Sequence, residues 1–225
     1  MKRIALALLL AALFLSSSGA QEVLLFRLYL VPMQVLNNNR FPKYFPGRSN
    51  PNPILELTGL YSAWMAFGGE PVFLVVAPAI STAQHNVLVG NIDVLAVPQD
   101  LDQPVSALAL TTLQNKLEGF KIPADWIMAN SMTYRECVRV VVRMFQLGDR
   151  FYGITGGTSM FGGNVTLDTR WNQIPQSARV ILQQIASEWN IDTSGVTNQT
   201  TVRQLIKLIA DQMRDDPIII GGVTI

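Results

Sequence analysis

Cysteine and histidine are almost absent from this chain: Cys137 and His85 are the sole examples in 225 residues. A single cysteine cannot close an intramolecular bridge, so the fold has to stand on its core. With Val138, Val140 and Val141 beside it, Cys137 reads as a small buried apolar side chain rather than a reactive thiol. His85 sits between Gln84 and Asn86, with no second histidine and no cysteine nearby. That excludes the ligand pairs of a histidine/cysteine metal site, and it leaves a general base without a partner to position it. Charge is sparse too, at 15% of residues with a net value of +1, so no global field draws the chain to nucleic acid. The apolar run Ile4 to Leu15 is twelve residues long, short of the roughly 20 that a membrane-spanning helix needs. No cofactor motif is complete, and none is expected to be bound.

That run has another meaning. Met1-Lys2-Arg3 is a basic start, and Ser18-Gly19-Ala20 places small residues before Gln21, the pattern of a cleavable secretory signal over residues 1–20. Cleavage there removes two basic groups and leaves 15 against 16 acidic ones, a net charge of −1. Export to a periplasmic or extracellular location is expected, with no stable membrane anchor after cleavage. The sequons Asn164-Val165-Thr166 and Asn198-Gln199-Thr200 suit an exported protein, although they carry glycans only in a host that makes them.

The remaining apolar content, part of 49% overall, is enough for a sizeable core. Val23 to Pro32 is rich in β-branched, aromatic and aliphatic residues and reads as a buried strand. Leu60 to Phe67 and Val72 to Ala77, separated by Gly68-Gly69-Glu70-Pro71, read as a hairpin. Ser81 caps a short helix from Thr82 to Leu88, and Val94 to Val97 forms a further strand. A crossover helix between the last two strands allows them to lie parallel, which predicts a small mixed sheet over residues 21–99. Inside it, residues 37–53 carry Pro42, Pro46, Pro51 and Pro53 and form a long irregular loop.

From Asp100 onward the period becomes helical, and the pattern is stated twice. Leu113-Gln114, Phe120, Ile122 and Ile127 lead into Thr133-Tyr134-Arg135, and Leu182-Gln183, Trp189, Ile191 and Val196 lead into Thr201-Val202-Arg203. The offset is 68 to 69 residues. In the first unit, residues 100–152, Val105, Leu108, Leu113 and Leu117 make an apolar stripe. Thr133 with Glu136 is a capping box that opens a helix over 133–147, with Tyr134, Cys137, Val138, Val141, Met144 and Phe145 inward and Arg135, Arg139 and Arg143 on the other face. Residues 153–166, with glycines at 153, 156, 157, 162 and 163, read as a linker. The second unit, residues 167–214, holds a helix from Ile174-Pro175 to about Trp189 and another from Thr200 or Thr201 to Met213. Residues 215–225 end the chain as an apolar strand, either at the edge of the protein's own sheet or donated to a neighbour. The predicted class is therefore α+β: a small mixed sheet followed by a duplicated helical region.

Candidate sites are few. The regular row Arg135, Arg139 and Arg143 reads as a solvated face or a docking face for an acidic partner. In the 37–53 loop, Arg40, Phe41, Lys43, Tyr44, Phe45 and Arg48 interleave cations with planar rings, and no acid lies between Val23 and Leu55. These residues either pack on their own sheet or contact a partner, including a single strand of nucleic acid through stacking and charge. The glycine stretch lacks the Gly-Lys-Ser/Thr ending of a phosphate loop, and Asp100 and Asp102 lack the later ligands of a calcium loop. The reading that follows is a non-enzymatic structural or binding protein with a protein partner or self-assembly. The alternatives are a secreted hydrolase of cell-wall or surface glycans working through Asp125 and Glu136, and a single-stranded nucleic-acid binder.

Three segments also carry a resemblance. Arg27-Leu28-Tyr29-Leu30-Val31-Pro32, Ile122-Pro123-Ala124-Asp125-Trp126 before Met132-Thr133-Tyr134-Arg135, and Leu167-Asp168-Thr169 together look like an uncharacterised group of proteins from tailed bacteriophages and related metagenomic contigs. The likeness spans roughly Phe26 to Met213. It implies a phage or prophage context, with a virion-associated role, and carries over no catalytic residue. The leader is a departure, because that group begins directly at the first strand.

Overall fold

The protein is described here by a computed structural model covering residues 24–32, 72–78, 93–120, 122–127, 132–155, 165–220 and 223–225. The strand expected at 60–67, the helix at 82–88 with His85, the 37–53 loop, glycines 156–163 and Asn164 lie outside the described residues.

The class is α+β. Three strands, β1 (Leu24–Pro32), β2 (Val72–Pro78) and β3 (Asp93–Pro98), form a sheet in the order β2-β1-β3. Leu28 and Leu30 on one face of β1 and Tyr29 on the other are all fully buried, so the central strand is covered on both sides. The sheet is antiparallel rather than mixed. β2 and β3 run the same way, as a crossover allows, but β1 is inserted between them and pairs antiparallel with both. Irregularities between Leu24 and Phe26 and between Leu28 and Tyr29 bend the β1–β3 ladder.

Two helix pairs follow. The first is α1 (Ala107–Gly119) and α2 (Tyr134–Thr155), the second α3 (Gln176–Glu188) and α4 (Val202–Met213). Ser106 caps α1, its hydroxyl accepting from the Ala109 N–H. With that start, Leu110, Leu113 and Leu117 turn inward and Leu108 turns out, 78% exposed, so it does not belong to the predicted stripe. Helix α2 runs on past the expected stop at 147. A helical glycine costs about 1 kcal/mol, and buried Gly148 is accommodated without a proline to halt the chain. Residues 153–155 are therefore helix, not linker, and Val165 beyond the glycine stretch is buried.

The same backbone contacts recur in both pairs. In the first, Val105 N–H donates to Met132 O at 2.8 Å, Tyr134 N–H to Gln103 O at 3.1 Å and Arg135 N–H to Leu101 O at 2.8 Å. In the second, Trp171 N–H donates to Thr200 O at 2.7 Å, Val202 N–H to Thr169 O at 3.0 Å and Arg203 N–H to Leu167 O at 2.9 Å. Each second helix is thus fastened at its start to the segment preceding the first. The first helix of each pair ends alike: Ile122 N–H reaches Leu117 O at 3.0 Å, and Ile191 N–H reaches Ala186 O at 2.8 Å. The latter closes a left-handed stop in which Asn190 takes φ 53°.

One apolar core joins these parts, from Leu28 and Leu74 in the sheet through Phe145 in α2 to Ile209 in α4. Helix α1 packs on β3, α2 touches β2, α3 and α4, and α4 also rests on the helical turn Asp125–Ile127. The tail does not join the sheet. It folds on itself as a hairpin, β4 (Ile219–Ile220) with β5 (Val223–Thr224).

Candidate functional site

The arginine row and the terminal hairpin form one structure. Helical spacing of four residues sets Arg135, Arg139 and Arg143 along one side of α2. None of the three is a free cation. Arg135 Nε donates to Asp102 Oδ1 at 2.8 Å, a pair open to solvent. That hydrogen bond is the main reason the Asp102 carboxyl is held below its ordinary value. Arg139 reaches further. Its Nε donates to the main-chain oxygen of Ile225 at 2.9 Å, and its Nη1 to Arg214 O, just past α4, at 3.1 Å. Arg143 donates through Nη2 to Pro217 O at 3.0 Å and pairs with Asp216 Oδ2 at 2.6 Å, while its guanidinium lies 5.8 Å from the centre of the Trp189 ring.

These contacts fasten the tail. A planar guanidinium with several N–H groups suits two main-chain oxygens from separate segments, which an ammonium could not span in the same way. Ile218 and Ile225 then exchange both backbone hydrogen bonds, at 3.1 and 2.8 Å, and both side chains are buried. Along β4 the side chains alternate, with Ile218 buried, Ile219 outward and Ile220 half-buried, whereas both residues of β5, Val223 and Thr224, are exposed, Thr224 directly opposite Ile219, before Ile225 turns in. Ile219 is 73% exposed. A legible signal lay in Gly221-Gly222 between two apolar runs, a two-residue hairpin signature that an edge-strand reading passes over.

The other candidates are placed as follows. Asp125 Oδ2 accepts from Arg203 Nη1 at 2.7 Å, across the contact between the helix pairs. Glu136 Oε2 accepts from the Thr133 N–H at 2.8 Å, and the Thr133 hydroxyl accepts from the Glu136 N–H at 3.2 Å, which is the capping box. The two carboxylates are held by separate structural partners. Cys137 is fully buried, and burial pushes its thiol up to about 12. Arg40, Phe41, Lys43, Tyr44, Phe45 and Arg48 lie outside the described residues. Asn198 of the second sequon is exposed in the turn before α4.

Among the described residues no group of three histidine, cysteine or carboxylate side chains could hold a metal ion, and no helix is long and apolar enough to cross a membrane. The chain matches no family model, no curated protein and no solved structure.

Proposed function

We propose that this is a non-enzymatic structural or binding protein, exported and of phage or prophage origin, that assembles with copies of itself through its terminal hairpin. The observation that carries the reading is the two-sided character of that hairpin. Its inner face is bonded to α2 and the core, so its outer face is a fixed surface, with Ile219 standing out and short strand edges beside it. The engagement of Asp125 by Arg203 and of Glu136 by the α2 cap fits the non-enzymatic part, since each carboxylate has a structural role of its own. Export rests on the leader pattern of residues 1–20, and phage origin on the likeness between Phe26 and Met213.

Light scattering of the protein across a concentration series tests the assembly. The expected result is a mass that rises with concentration in the unaltered chain and stays monomeric in Ile219→Glu, whose unfolding midpoint is unchanged because the side chain is outside the core. A monomer at every concentration in both overturns the proposal.

A further inference from the structure

The two helix pairs close the ends of their first helices by the same backbone bond, which places Ala186 of α3 where Leu117 stands in α1. Leu117 is fully buried and fills its place. Ala186 is three carbons shorter, and beside it lies a half-open cavity of about 100 Å³. Its walls are apolar, among them Leu182, Ile191, Leu205 and Ile209. A second difference points the same way. In the first pair the Gln114 amide donates to Ala124 O at 3.4 Å, a long hydrogen bond across the turn. Its counterpart Gln183 is exposed and lines the cavity, and its side chain makes no hydrogen bond among the described residues. Thr193, also exposed, and the half-buried Trp171 complete the lining.

Where one pair has a leucine in place and a glutamine latched over the turn, the other has neither. From this we infer that the second helix pair binds a small amphiphile. A branched aliphatic group of leucine size enters the cavity, and its polar head meets the Gln183 amide and the Thr193 hydroxyl. A hollow of this size is too small for a nucleotide or a haem, whose pockets run to roughly 300 Å³ and more. It suits a group of about four carbons, since an apolar cavity of about 150 Å³ accepts the six of benzene. The indole of Trp171 gives that group a flat wall, and the two polar side chains fix its orientation.

Isobutanol is the probe, because it carries the leucine side chain's branched carbons with a hydroxyl head. Titrated into the labelled protein, it is expected to produce saturable shifts in the Ile191, Thr193 and Val196 amide resonances. Ala186→Leu is expected to abolish those shifts and to raise the unfolding midpoint by about 2–4 °C, as filling a cavity does. Gln183→Ala, at an exposed position that leaves folding unchanged, is expected to weaken binding about five- to tenfold through loss of one hydrogen bond. The absence of saturable shifts in the unaltered protein overturns the site. Undiminished binding in either folded variant does so too.

Discussion

Arg139 donates to two main-chain oxygens, Ile225 beyond the hairpin's second strand and Arg214 at the end of α4, and so ties the hairpin and the helix end to α2. A charge-assisted hydrogen bond is worth about 1.5–3 kcal/mol. Arg139→Met, which keeps the apolar stem, is therefore expected to lower stability in a urea melt by about 2–3 kcal/mol. Arg135→Met is expected to leave the same melt almost unchanged, because its partner Asp102 is 74% exposed and such pairs are screened. The Asp102 pair is better seen by titration. Its carboxyl sits below the ordinary 3.8, so its contribution is present above that value and is lost as the pH falls through the lower, folded-state value. NMR titration should place the Asp102 midpoint below 3.8 in the unaltered protein and return it towards that value in Arg135→Met.

At the scale of elements, the helix starts are set by local chemistry and the helix ends by what surrounds them. Thr133 with Glu136 and Thr201 with Gln204 close the same reciprocal pair of side-chain to backbone bonds; the first box is read from the sequence, whereas the second start is left there between Thr200 and Thr201. Thr133→Ala and Thr201→Ala are each expected to cost about 1 kcal/mol in a urea melt, with Thr201→Val no better than Ala because the hydroxyl is what matters. The stop of α2 was not legible. Glycine discourages a helix by only about 1 kcal/mol, so Gly148 and Gly153 yield to packing that a pattern of letters does not contain. Leu108 was misread for a related reason: its spacing fits a stripe, but the face of a helix depends on where Ser106 starts it. The positions of β1, β2 and β3 came through within a residue or two. Their pairing did not, because a central β1 between β2 and β3 is a matter of long-range order rather than of composition.

For the whole molecule, the sheet and both helix pairs share one core, and among the described residues the polar side chains singled out in the sequence, Asp125, Glu136, Arg135, Arg139 and Arg143, all hold structural partners. Arg203 with Asp125 joins the two pairs, Arg139 and Arg143 join α2 to the tail, and the hairpin is the surface that this bonding leaves facing out. The arginine row invited a docking interpretation because regular charge on a helix face normally meets solvent or a partner. Two of the three instead meet backbone 74 to 86 residues further along the chain, beyond the reach of any local pattern. The most direct measurement is native-state hydrogen exchange at the Ile218 and Ile225 amides, each of which bonds across the hairpin. In Arg139→Met combined with Arg143→Met, protection at these two amides should collapse while Leu28 and Leu30 in the sheet keep theirs. Unchanged protection at Ile218 and Ile225 would contradict the account, because the row would then be free to serve some purpose other than fastening the tail.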